Sequence, residues 1–470
     1  MAALGVMFAG LNGCGGGGAS NAPATATADP VVPAPPVSTP VVTLPPVPDP
    51  VVAAPLILGL PVGGVSAATL GVVVAQGDDL SEAIASYYVN ARGIPATNVI
   101  RVNVNAASDT LSVADFAVMK AEVDAKLPAG IQATLLTWVR PSRVTGSCTM
   151  GMTSAMALGY DTGYCGGGCV NTKASPYFDS ESGMPWQDVS MRPSMMLGAT
   201  TMAAAKSLID RGLLADNSQP GGDGYLLRTS DTARSVRFSD YTNLPASWAG
   251  NPGLQLNYID NSAGGSADNI SNKKDVLFYF TGLAQVSGTG SNSFRPGGIA
   301  DHLTSFGGLL PLANGQMPIT AWLDAGATAS YGTVEEPCNY TQKFSKASVL
   351  IDHYYRGDTL VEAYWKSVQW PGQGLFIGEP LARPFAEVPA FEVVNGQYRI
   401  TTRSLRAKAS YSLQYKAANG SWENLASFSA TRAQSQTLWS PLPPSDATQL
   451  RWLGPCPNGA AQQCTLATSR

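Results

Sequence analysis

The chain has 470 residues and a formal net charge of −4, and only 13% of its side chains are charged, about half the usual quarter. So sparse and balanced a charge leaves no basic footprint, which excludes nucleic acid as a partner. No run of eighteen or more apolar residues is present, so a lipid rather than a spanning helix is the expected anchor.

Residues 2–11 are mostly apolar and lead into Leu11-Asn12-Gly13-Cys14. This resembles the lipobox of bacterial lipoproteins. The resemblance implies that residues 1–14 are a signal and that Cys14 is acylated and becomes the first mature residue. Gly15, not an acidic residue, follows the cysteine, which in proteobacterial lipoproteins implies the outer membrane. No basic segment precedes the apolar run, so the natural start is expected to lie further upstream. Residues 15–55, including PVVPAPPVSTPVVTLPPVPDP, carry proline without periodic large apolar residues. That composition predicts an extended, semi-rigid tether.

From residue 56 the pattern becomes α/β. Leu70 to Gln76 (LGVVVAQ) reads as a central strand buried on both faces. Asp78-Asp79-Leu80-Ser81 is an N-cap cluster before a helix that stops at Gly93 and Pro95. A strand at Asn98 to Val102, a helix at Val113 to Lys126 and a strand at Ala133 to Val139 follow. A helix at Met202 to Arg211 and strands at Tyr225 to Thr229 and Val276 to Phe280 continue the alternation. The fold class is α/β, a doubly wound, mostly parallel sheet over residues 56–386.

The stretch from Ser293 to Phe385 is the most informative. Pro296-Gly297-Gly298 is expected to open a helix that carries Asp301 and His302 in its first turn. Met317 to Thr328 is expected to be a buried strand, and Gly374 to Pro380 a strand running into GEP. In such sheets ligands sit at the carboxyl ends of strands, so the site is placed there. The Gly-rich loop could hold an anion. The loop Asp260 to Asn269 has oxygen ligands for calcium but not the spacing of an EF-hand, and reads as an exposed turn. No cofactor and no metal site are predicted.

Six cysteines follow Cys14: Cys148, Cys165, Cys169, Cys338, Cys456 and Cys464. An even number in an exported chain reads as disulfides. Cys456 and Cys464 flank a short loop and are the expected pair. The other four allow three connectivities, with zinc at Cys148, Cys165 and Cys169 a lesser alternative.

Three longer blocks carry a family resemblance: Pro296 to Gly308, Gly326 to Asn339 (GATASYGTVEEPCN) and Gly372 to Pro384 (GQGLFIGEPLARP). With Gly71 to Gln76, Tyr87 to Pro95 and Leu208 to Gly212, they make residues 67–385 resemble a family of uncharacterised exported bacterial proteins. A more distant likeness is to the gingipain and caspase-like cysteine peptidases, which implies a caspase-like or flavodoxin-like sheet. Their histidine would follow the strand Val276 to Phe280, where Thr281-Gly282-Leu283 stands instead. Their cysteine would fall near Ser287 to Phe294, where there is none.

With only two histidines in the chain, one other dyad is conceivable. Cys338 would be the nucleophile, His302 the base, and Glu335 or Asp301 its orienter. Two acids beside Cys338 would raise its pKa, and a disulfide to Cys148 or Cys169 is the simpler fate. A serine nucleophile at Ser330 would need the same His302. His353 shares a helical face with Val349 and Leu350 and reads as packing.

From Val388 the pattern is short alternating strands with Asn-Gly turns, at Phe391 to Val394, Tyr398 to Thr402, Tyr411 to Tyr415, Gln436 to Leu438 and Gln449 to Leu453. Residues 388–470 are expected to form a small β-sandwich resembling fibronectin type III or immunoglobulin-like modules. Trp422, Trp439 and Trp452 read as its core and edge aromatics. The functional expectation is a membrane-tethered, non-catalytic module for an unknown protein or polysaccharide ligand. A Cys338–His302 hydrolase is the alternative.

Overall fold

A computed structural model describes residues 55–60, 64–456 and 463–469. The expected signal, the lipid site at Cys14 and nearly all of the tether lie outside the described residues. Residues 53–470 form one compact unit.

The α/β half is built on a ten-stranded sheet. Its strands are β1 (Leu70–Ala75), β2 (Val99–Val102), β3 (Ala133–Leu136), β4 (Ser194–Met196), β5 (Gly222–Arg228), β6 (Leu254–Asp260), β7 (Val276–Gly282), β8 (Phe294–Leu303), β9 (Ala329–Thr333) and β10 (Gly374–Gly378). They lie in the order β2-β1-β3-β4-β10-β9-β8-β7-β5-β6. Helices α1 (Asp79–Arg92), α2 (Val113–Lys126), α3 (Met202–Ala215), α4 (Ala347–Tyr355) and α5 (Leu360–Ser367) cover it. All six residues of β1 are buried, as its β-branched run requires of a strand with covered faces. The Asp78 carboxylate accepts from the Ser81 N–H at the start of α1, and Gly93 closes that helix at φ 64°, so the turn chemistry read from the sequence is the chemistry used.

Every neighbouring pair is parallel except β9 and β10. Five strands therefore run one way, from β2 to β10, and five run the other, from β9 to β6. The sheet is mostly parallel, as expected, but its carboxyl ends lie on opposite rims. Those of β7, β8 and β9 share one rim, and that of β10 lies at the other. The motifs between Ser293 and Phe385 thus do not meet at a single edge.

Two expected elements change type. Pro296 to His302 belongs to strand β8, not to a loop and helix. Within the predicted strand Met317 to Thr328 the chain instead makes a short helix, Thr320–Asp324, and the strand proper is Ala329–Thr333.

Among its described residues the C-terminal half has seven strands: β11 (Ala390–Val394), β12 (Gln397–Thr402), β13 (Ser410–Lys416), β14 (Trp422–Ser429), β15 (Gln436–Pro441), β16 (Gln449–Pro455) and β17 (Gln463–Thr468). They form two antiparallel sheets, β11-β12-β15 and β14-β13-β16-β17. Tyr398 and Ile400 of one sheet share a core with Leu413, Leu450 and Trp452 of the other. Leu58, 1% exposed, joins this core, and the Tyr398 hydroxyl donates to the Leu56 carbonyl at 2.8 Å. Residues 55–60 therefore belong with the sandwich and not, as expected, with the α/β half. The chain reaches the α/β half by Gly64, whose N–H donates to Glu362 Oε1 at 3.1 Å.

Candidate functional site

Successive residues of a strand face opposite sides of the sheet, and this separates Asp301 from His302. Asp301 turns to the side covered by α4 and α5, where it meets Arg237. One guanidinium nitrogen lies 2.7 Å from the carboxylate. The same nitrogen donates to the Ser345 carbonyl and hydroxyl, each at 3.2 Å, and the other terminal nitrogen donates to the Thr281 carbonyl at 2.6 Å. The Ser345 hydroxyl donates in turn to Asp301. Arg237 is 4% exposed and Asp301 1%, a pair that must be held together to be tolerated at all.

Burial raises the Asp301 carboxyl above its ordinary range, and Arg237, Ser345 and Tyr364 only partly offset it. Burial works against the Arg237 charge, but Asp301 and the neighbouring tyrosines outweigh it and raise its pKa. The rings of Tyr241, Phe280 and Phe344 lie 5.9–6.0 Å from the guanidinium, which makes its surroundings aromatic as well as ionic. The Nε of Arg237 has no hydrogen-bond partner among the described residues.

The close passage of the Arg234 to Arg237 segment over the end of β7 depends on Gly282. A Cβ there would collide with the Arg234 carbonyl, so only glycine admits the approach. Thr281-Gly282, which stands where the peptidase likeness would place a histidine, serves to seat Arg237.

Arg237 and Ser345 lie at the floor of a cleft of about 370 Å3, within the size range of small-molecule sites. Ser239, Thr341, Gln342 and Gln369 stand among its walls, and Lys346 is exposed at its rim. Asp240 also lines it but is engaged, accepting from the Ser348 N–H at 3.0 Å and hydroxyl at 2.5 Å as α4 begins. Of this cleft, sequence reasoning had named only Asp301, which lies beneath the floor.

The conceivable dyad is not formed. Cys338 is paired with Cys169, their Cα atoms 5.4 Å apart, so no thiolate is available. His302, 1% exposed, lies on the other side of β8. Its Nδ1 accepts from the Trp322 indole N–H at 2.9 Å, and its Nε2 donates to the Met317 carbonyl at 3.1 Å. Burial pushes its pKa down to about 3. A neutral imidazole with both nitrogens engaged has no free lone pair to accept a proton. Glu335 does not orient it either, since its carboxylate accepts from the Thr149 N–H at 2.7 Å. Asp301 serves Arg237 rather than an imidazole. Ser330 is fully buried within β9.

The remaining cysteines pair as Cys148–Cys165 and Cys456–Cys464, which uses the sulfurs considered for zinc. Three disulfides place the chain in an oxidising compartment. Among the described residues no helix is long and apolar enough to cross a membrane, and no group of three or more His, Cys, Asp or Glu is placed to hold a metal. In the loop considered for calcium, Asp268 accepts from Ser230 and Asn261, while Asp260 pairs with Arg228 at 3.2 Å. The loop considered for anions opens no helix, because it lies within β8.

His353 does pack in α4 as expected, and it is also held by two carboxylates. Its ring nitrogens lie 3.1 Å from Asp179 and 3.0 Å from Asp358. Asp179 and Glu181 also bind Arg406 of the sandwich, and Arg356 donates to Glu181 and to the Ser404 carbonyl. Burial opposes the Asp179 charge, yet His353 and Arg406 prevail and hold its carboxyl at about 2. These charges fasten the sandwich to the α/β half.

Compared with known proteins, the chain matches no family model, no curated protein and no solved structure.

Proposed function

We propose that this chain is an exported binding module, carried on a lipid at Cys14, that holds a ligand in the cleft over Arg237 without transforming it. The observation that carries the reading is the state of the groups that could do chemistry. The Cys338 thiol is spent in a disulfide, His302 has both nitrogens engaged, and the Ser345 hydroxyl is fully buried and donates to Asp301. A floor whose reactive groups are engaged, beneath open polar walls, suits recognition. The fibronectin-like or immunoglobulin-like sandwich and the caspase-like ancestry of the α/β half belong to the same reading, as does the resemblance to exported bacterial proteins.

The test is to incubate the disulfide-intact protein with envelope polysaccharides and peptides, then recover what it binds. Unaltered ligand, with slowed hydrogen exchange confined to residues 341–346 and 367–369, is the expected result. Recovery of cleaved material, or protection elsewhere, overturns the reading. For the lipid, the mature protein extracted in detergent is expected to begin at Cys14 and carry acyl chains by intact mass. Cys14→Ser is expected to move it to the soluble fraction, and an unmodified wild-type N-terminus would refute the anchor.

A further inference from the structure

We propose that the ligand of the cleft is a neutral, hydroxyl-rich chain, an oligosaccharide. This rests on the cleft being the binding site, and three features of it point to that chemistry.

The first is charge. Arg237 and Lys346 bring two positive charges, and Asp301 and Asp240 bring two negative ones. Arg237 is cancelled by Asp301 at 2.7 Å, and Asp240 faces the cleft while it caps α4. A carboxylate or phosphate would find no net attraction, and it would have to shed its hydration against a resident carboxylate.

The second is the hydrogen-bonding inventory. Ser239, Thr341, Gln342 and Gln369 line the walls, while Ser367 beside them is fully buried with its hydroxyl donating to the Tyr364 carbonyl at 2.7 Å. Each glutamine presents a donor and an acceptor side by side, and a hydroxyl is both at once. Neighbouring sugar hydroxyls offer the same alternation.

The third is the apolar wall. Phe178 lines the cleft with its ring half-buried and offers a flat face to the C–H side of a sugar ring. A peptide is the competing occupant. Extended peptides are gripped through a free strand edge, whereas the lining residues come from a turn, two short loops and helix ends. Nothing in the cleft would pair with a peptide backbone in register.

The experiment is a titration of the full-length, disulfide-intact protein against neutral hexasaccharides of glucose, xylose and N-acetylglucosamine, with polygalacturonate and a polyalanine peptide as controls. At least one neutral oligosaccharide is expected to bind. The double variant Gln342→Ala/Gln369→Ala is expected to weaken it by roughly tenfold or more, since two hydrogen bonds are lost, with an unchanged circular dichroism spectrum and melting temperature. Failure of every neutral oligosaccharide at millimolar concentration overturns the ligand class. If polygalacturonate or peptide then binds and the double variant abolishes it, the cleft stands with a different ligand. If binding of any of them is indifferent to the double variant, the cleft itself is wrong. Gln342→Glu is a second variant that keeps the size of the side chain. It is expected to weaken a neutral glycan, and tighter binding through the added charge would overturn the proposal.

Discussion

Arg237→Met is expected to destabilise the protein by about 3–5 kcal/mol, because it leaves the Asp301 charge buried without its partner. Urea unfolding followed by tryptophan fluorescence measures this. The loss should depend on pH in a definite sense. Asp301 is already raised above its ordinary range by burial, with Arg237 opposing the rise. Without Arg237 the carboxyl moves further up. An acid whose pKa is higher folded than unfolded favours the folded state while protonated and loses that advantage as pH rises through the folded value. The variant's deficit should therefore be smallest in acid and grow toward neutrality. Arg237→Met/Asp301→Leu removes both charges and is expected to recover most of the loss, since a buried pair replaced by apolar groups is often neutral or better. A single-variant deficit below about 1 kcal/mol at neutral pH would mean that the pair behaves as an exposed one.

Removal of the Cys169–Cys338 disulfide by paired serines is expected to have the other large effect. The bridge spans 169 residues, and releasing a loop that long from the unfolded chain costs roughly 5 kcal/mol of stability by the chain-entropy argument. Cys148–Cys165 spans only 17, for which the same argument gives about 3 kcal/mol. The two bridges also differ in access. Cys169 is exposed, whereas Cys148 and Cys165 are buried, so a mild reductant should open Cys169–Cys338 first.

The consequence falls on the cleft, because Thr341 and Gln342 follow Cys338 closely. Past the bridge, the wall is held by the Trp370 N–H on the Gln342 carbonyl at 2.8 Å and the Tyr331 hydroxyl on the Lys343 carbonyl at 2.6 Å. Stepwise reduction with alkylation and mass analysis should give a species opened only at Cys169 and Cys338, with faster hydrogen exchange at residues 336–342. Earlier opening of Cys148–Cys165 would contradict the ranking by access.

What could be read from the sequence was local. The β1 run, the Asp78 and Gly93 caps and the Asn-Gly hairpin turns act within a few residues, and each fixes its element by short-range sterics or hydrogen bonding. The Cys456–Cys464 pair is local in the same way. The reversal at β9 and β10 was not legible, because α4 and α5 return the chain without any sequence mark of its new direction. His302 was misplaced because Pro296-Gly297-Gly298 has the composition of a loop, and Gly297 does take φ 86°, yet the chain stays in β8. The signal within reach was Asp301 itself. A charge between Ala300 and Leu303, in a segment otherwise apolar, demands a partner. That partner, Arg237, lies outside any motif, in SVRFSD, and only the packing of the chain brings it to β8.

The seat of Leu58 in the sandwich core has a mechanical consequence. Any pull along the N-terminal arm travels through residues 55–60 before it reaches Gly64 and the α/β half. The load is met first by the Leu58 side chain and the Tyr398 hydroxyl grip on Leu56, and is shared with the Arg356 and Arg406 fastenings. Tension would have to strip this strap from the sandwich before it strained the sheet that seats Arg237.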